Sequence, residues 1–285
     1  MKLDNLFSVK DKIAIVTGGS RGIGEMITSG LLANKCKVYV SARKAPALLE
    51  KAKELSDEYE SECIPIPCDL STKEGVDLFF NQISELEPNG IDYLINNAGA
   101  AWGETLEEFS EIGWDKVMDL NVKSMFFMIQ KFKTILIKKA TIDDPSRIIN
   151  IGSIDGLNVP AFETYSYSTS KAAVHHLTRV LAAKLVKENI LVNAIAPGPY
   201  PSAMLGSAVN SDYSDIDKRN PRGRIGSPED IAGLVIFLCS RAGAYTVGAI
   251  IPSDGGLVGT AGHDLSYCLL YTSPSPRDAT LSRMP

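Results

Sequence analysis

The 285-residue chain has no run of roughly 20 apolar residues, so no membrane-spanning helix is expected. Its opening stretch, Met1-Lys-Leu-Asp-Asn-Leu-Phe-Ser-Val-Lys10, is too polar for a signal peptide, and a cytoplasmic protein is the expectation. Basic residues are also in short supply. With 29 Lys and Arg against 34 Asp and Glu, the net charge is -5, and no stretch concentrates the positive charge that nucleic-acid phosphates require. Neither nucleic acid nor membrane is therefore an expected partner. The five cysteines, Cys36, Cys63, Cys68, Cys239 and Cys268, include no Cys-x-x-Cys pair and no histidine at ligand spacing, so reduced thiols and no metal site are expected. Only three histidines are present. Two of them, His175 and His176, are adjacent in a helical stretch and face different ways, which suits a surface or subunit contact better than an ion.

What is present is apolar material, 45% of residues, enough for one sizeable core, and residues 1–261 read as a single domain. Short β-rich runs at 13–17, 37–41, 63–67, 93–96, 147–152, 191–196 and 249–252 alternate with helical periodicity at 22–34, 46–59, 73–87, 110–139, 165–187 and 228–241. That alternation predicts an α/β fold: a Rossmann-type, doubly wound sheet of seven parallel strands with helices on both faces, in three layers. Residues 197–226, with four prolines and little periodicity, read as a lid over a cleft or as a variable surface loop. Residues 262–285 have neither an apolar face nor a partner strand. They read as a disordered tail or as an artefactual one resembling translated adapter sequence.

Where the first strand gives way to the first helix, Thr17-Gly-Gly-Ser-Arg-Gly-Ile-Gly24 places Gly18, Gly22 and Gly24 in the turn. Without side chains there, backbone N–H groups and the helix dipole can approach a pyrophosphate closely. The other reading is a glycine-rich turn with no ligand. After the second strand comes Ser41-Ala-Arg-Lys44, which lacks the carboxylate that would hold a ribose 2'-hydroxyl and repel a phosphate. Arg43 with Arg21 could clamp a 2'-phosphate instead, so NADP(H) is expected, a solvated surface being the alternative for Arg43.

Tyr167 and Lys171 stand four apart in a helical stretch, on one face, where an ammonium can lower a phenol's pKa and make it a usable acid or base. Packing of Tyr167 is the competing reading. Ser153 closes the strand Arg147-Ile-Ile-Asn-Ile-Gly-Ser153, at the sheet edge where open α/β folds bind ligands, either as a donor to a carbonyl oxygen or simply as a cap. Asn121 lies in an apolar helix, where its carboxamide needs a buried partner, and is expected to orient water beside Lys171. Trp102 either walls a pocket or packs under the lid.

In this order these motifs, with Asn96-Asn-Ala-Gly99, resemble the short-chain dehydrogenase/reductase family over about residues 6–258. The resemblance implies that Tyr167 is the acid/base, that Lys171 lowers its pKa and binds the nicotinamide ribose, that Ser153 polarises the carbonyl, and that Asn121 completes a proton relay. It further implies that Asp69 contacts adenine, that Asn97, Ala98 and Gly99 line the adenosine side, and that Ser20, Arg21, Ile23, Pro197 and Gly198 complete the cofactor envelope. Dimers or tetramers are implied as well, with 122–136 and 172–185 as either core or subunit interface. Three segments, Gly152 to Gly156, Ile195 to Met204 and Ala244 to Pro252, are similar to NADPH-dependent 3-oxoacyl reductases associated with rhamnolipid synthesis. The expected function is reduction of a 3-oxoacyl thioester, carried on acyl carrier protein or coenzyme A, to the 3-hydroxyacyl form. A reductase or dehydrogenase of a sugar, polyol, steroid or other small carbonyl compound is the alternative. A dinucleotide-sensing module without chemistry is the non-enzymatic one.

Overall fold

The computed structural model describes residues 5–160, 162–202, 205–206 and 213–260. The predicted tail at 262–285 and the middle of the predicted lid lie outside the described residues. Seven strands form one parallel sheet in the order β3-β2-β1-β4-β5-β6-β7. They are β1 (Ile13–Thr17), β2 (Lys37–Ala42), β3 (Cys63–Pro67), β4 (Tyr93–Asn96), β5 (Ser146–Ile151), β6 (Ile190–Pro197) and β7 (Ile250–Ser253). Each predicted strand is present within two residues at either end.

The strands read as apolar runs because both faces of the sheet are covered. In β1, Ala14 and Val16 point into one core, packed by α1 (Gly22–Ala33), α2 (Ala45–Tyr59) and α8 (Pro228–Cys239). Between them Ile15 points into the other core, with α3 (Lys73–Leu86), α5 (Met125–Leu136) and α6 (Tyr165–Leu185). Alternation across the strand thus builds the three layers.

The predicted helix 110–139 is not continuous. It comprises α4 (Glu111–Met118), a π-helical turn (Asp119–Ser124) and α5. One extra residue in a π turn rotates the chain after it, and such turns gather at functional sites; here it carries Asn121. Within 122–136 Met128, Ile129 and Phe132 are buried in the core, while Phe126 on α5 and Val180 on α6 remain outside.

Both ends of the 197–226 segment are tied down, and α7 (Ser214–Arg219) lies within it. Tyr200 is buried, and its hydroxyl bonds Ser253 Oγ at 2.6 Å. At the other end Asn220 donates to the Asp254 carbonyl at 3.0 Å, and Ile225 N–H donates to Asp217 at 2.7 Å. The order of strands reverses between β1 and β4, the switch point where open α/β sheets form a crevice beyond their carboxyl ends.

Candidate active site

The chain leaves β1 through Gly18 and enters α1 at Gly22, both with positive φ (64° and 54°). Side chains rarely adopt that conformation, so glycine is required there. Gly24 is required by space: a Cβ on it would stand 2.2 Å from the Gly18 carbonyl oxygen. Asn97 holds the turn from β4, donating to the carbonyls of Thr17 at 2.9 Å and Gly18 at 3.3 Å. Thr17 Oγ1 returns the tie by accepting from the N–H groups of Asn97 and Ala98, each at 2.9 Å. The residue before α1 is Arg21, whose side chain does not cap the helix. Among the described residues no side chain caps the first N–H groups of α1, beside Ser20 and Ile23, and this glycine cradle fits a diphosphate.

Arg43 stands exposed just beyond β2, and its charge helps hold the Asp69 carboxyl below its ordinary range. Burial opposes that shift, and hydrogen bonds from Ser71 N–H and Oγ to Asp69, at 3.0 and 2.7 Å, outweigh it. Arg43 and Asp69 thus border one edge of the crevice. On its other side Pro197 ends β6, and Gly198 donates to the Ser253 carbonyl at 3.0 Å while leaving no room for a side chain against Asp254.

Beyond β4 and β5 the remaining predicted residues come together. Asn121 is 1% exposed; it donates to the Ala100 carbonyl and to Ser170 Oγ, both at 2.9 Å, and accepts from Ala100 N–H at 2.8 Å. Both amide protons are used, leaving one lone pair on Oδ1 for a water. Ser170, which sequence reading passed over, donates in turn to the Tyr167 carbonyl at 2.7 Å and links the π turn to α6. A Cβ on Gly99 would lie 3.2 Å from Asn121 Oδ1 and 3.8 Å from Lys171 Nζ, so these three converge.

Lys171 is 5% exposed and donates to the Ile151 carbonyl at 2.8 Å, its ammonium lying 5.4 Å from the centroid of the Tyr167 ring. Burial pulls its pKa down to about 8, against the charge of Asp155. Tyr167 moves opposite to expectation. Burial pushes its phenol up to about 12, a hydrogen bond with Ser153 pulls it down, and Asp155 adds to the rise. The cause is geometric: the lysine addresses a main-chain carbonyl and the face of the ring, so it does not offset the loss of solvent. Ser153 Oγ accepts from Asp155 N–H at 3.1 Å and borders the Tyr167 phenol.

One expectation is corrected. His175 is not at the surface: it is 2% exposed, beneath the loop that carries Ser153, while His176 is exposed. Spacing alone does not reveal this, because the glycines that make the room lie about 20 positions earlier. Trp102 packs on Gly113 of α4, with the Lys116 ammonium 4.5 Å from its ring.

A family model described as enoyl-(acyl carrier protein) reductase matches residues 18–258. The chain belongs to the short-chain dehydrogenase/reductase family. Among members of this family, the rhamnolipids biosynthesis 3-oxoacyl-[acyl-carrier-protein] reductase of Pseudomonas aeruginosa is 45% identical over 252 residues, covering 88% of this chain and 97% of that protein. The solved RhlG/NADP active-site complex of the same organism matches with a TM-score of 0.85 at 44% identity, covering 89% of this chain and 99% of that one. A 2-dehydro-3-deoxy-D-gluconate 5-dehydrogenase of Dickeya dadantii is 36% identical over 261 residues, covering 88% of this chain and 97% of that protein.

Proposed function

We propose that this short-chain dehydrogenase/reductase uses NADPH to reduce 3-oxoacyl thioesters to 3-hydroxyacyl thioesters. The observation that carries the reading is the 45% identity with a 3-oxoacyl-[acyl-carrier-protein] reductase, in a chain that keeps Asn121, Ser153, Tyr167 and Lys171 around one crevice. NADP(H) as cofactor is supported by the likeness to an NADP complex and by the basic edge at Arg43 and Arg21. The N–H groups at the start of α1 would hold the diphosphate, and Arg43 and Arg21 the 2'-phosphate.

When bound, the nicotinamide supplies hydride to the carbonyl carbon. The protein handles the charge that develops on the oxygen. Ser153 donates a hydrogen bond to that oxygen, and Tyr167 gives it a proton, leaving a secondary alcohol. The phenol, pushed up to about 12 by burial, holds its proton at neutral pH, the form that donation to the oxygen requires. Lys171 would bind the nicotinamide ribose, and Asn121, with its spare lone pair, would hold a water through which Tyr167 is reprotonated. A cytoplasmic homodimer or homotetramer is part of the same proposal, supported by the exposed apolar side chains Phe126 and Val180 on neighbouring helices.

A second reading, action on a sugar acid, is supported by the 36% identity with the gluconate-type dehydrogenase. A panel of acetoacetyl-CoA, a longer 3-oxoacyl thioester, a 2-enoyl thioester and 2-dehydro-3-deoxy-D-gluconate, each with NADPH and NADH, separates the two. The proposal requires the highest kcat/KM with a 3-oxoacyl thioester and NADPH; a preference for the sugar acid would replace it.

A further inference from the structure

Ser153 is carried on a short loop flanked by two glycines, and both lie against the imidazole of His175. A Cβ on Gly152 would stand 2.1 Å from His175 Nε2, and one on Gly156 2.9 Å from its Cε1. Neither glycine has a positive φ, so neither is needed for backbone freedom; what each provides is an absent side chain that lets the ring in. Gly156 also passes close to the backbone of Lys171, where a Cβ would be 2.6 Å from the carbonyl carbon. The loop is therefore laid directly on α6.

His175 follows Lys171 by one helical turn, and its ring is buried with the Gly156 backbone as a hydrogen-bond partner. A polar ring is a costly filler where an aliphatic side chain would pack, and its tie to Gly156 points to a role beyond bulk. Its planarity supplies one. A flat ring can enter between two backbone segments that a branched side chain would force apart.

We propose that His175 is a positioning residue for Ser153: its ring is the wedge on which the loop from Gly152 to Gly156 rests, and it sets the separation between the Ser153 hydroxyl and the Tyr167 phenol. Tyr167, Lys171 and His175 share one helix, while Ser153 comes from the edge of the sheet. The wedge passes the position of the helix to the loop, so that both donors meet one oxygen. A displacement of the loop by about 1 Å would spoil that convergence. The inference rests on the carbonyl-reductase reading only for its kinetic arms.

The test is a size swap joined to a coupling measurement. His175→Ala and Gly152→Ala are each expected to lower kcat for acetoacetyl-CoA on the order of 10- to 100-fold, with the Kd for NADPH within about twofold of wild type. The combined Gly152→Ala/His175→Ala protein should recover most of the loss, because the new methyl occupies the space the ring has left. In a Ser153→Ala background, His175→Ala should cost less than about twofold more, as expected of residues acting as a unit. Independent losses in that background, or no recovery in the size swap, would overturn the proposal. If His175→Ala does not fold, His175→Asn, with a smaller planar amide, takes its place in the cycle with Ser153. An arm free of activity keeps the two readings apart: amide hydrogen exchange across residues 152–157 must quicken in the His175 variant. Unchanged exchange defeats the wedge even if wild type reduces none of the carbonyls offered, whereas faster exchange in a protein without turnover defeats only the functional reading.

Discussion

The Lys171 ammonium lies over the Tyr167 ring, 5.4 Å from its centroid, and donates to the Ile151 carbonyl. Loss of solvent dominates both groups, driving the phenol up to about 12 and the ammonium down to about 8. Tyr167 therefore keeps its proton at neutral pH, and Lys171 is a cation held at a cost to stability.

That cost has a definite pH dependence. The ordinary lysine value of 10.5 applies to the unfolded chain, and the folded value is depressed to about 8. Below pH 8 both states hold the proton and the folded protein bears the full penalty. Between about 8 and 10.5 the folded state sheds it first, so stability rises with pH. Lys171→Met should therefore raise stability at pH 7 by about 2 kcal/mol after loss of the Ile151 hydrogen bond, flatten the rise, and abolish carbonyl reduction. Urea unfolding at pH 7 and pH 9.5 checks this; an equal slope in the variant would contradict it.

Arg43→Asp places a carboxylate where none stands between Ser41 and Lys44. Preference should pass from NADPH to NADH, with kcat/KM for NADPH falling about 100-fold. A ratio of the two cofactors that stays at its wild-type value would remove Arg43 from the site.

Asn121→Leu leaves the Ala100 N–H and carbonyl and the Ser170 hydroxyl without their partner. Destabilisation of about 3 kcal/mol is expected, with kcat lowered as well, since the same change removes the acceptor for a relay water. Chemical denaturation and steady-state kinetics read the two effects separately. Wild-type stability in this variant would mean that the carboxamide is not the link between the π turn and α6.

Removal of residues 262–285 should leave kcat/KM and Tm unchanged, because the apolar pattern of the α/β fold is complete at Asp254-Gly-Gly256. A fall in either would give that segment a role in the domain.

Much of the fold was legible in the sequence because a sheet buried on both faces writes its strands as apolar runs, as in Ile13 to Thr17. The π turn at Asn121 was not, since its apolar spacing blends into the helices on either side and only the hydrogen-bond register differs. At the site, a spacing of four put Tyr167 and Lys171 on one face, yet the sign of the phenol's shift depended on desolvation, which tertiary packing sets. The burial of His175 is not legible from its neighbour His176, because the residues that explain it, Gly152 and Gly156, lie about 20 positions earlier and announce themselves only as missing side chains.

The most direct test of the central claim is the rate of NADPH oxidation by acetoacetyl-CoA in wild type and in Tyr167→Phe, with the NADPH Kd measured in both. The account predicts turnover in wild type, a loss of at least about 1,000-fold in the variant, and cofactor affinity within about threefold. Comparable turnover in the variant would contradict Tyr167 as the proton donor, and with it the mechanism drawn from this site.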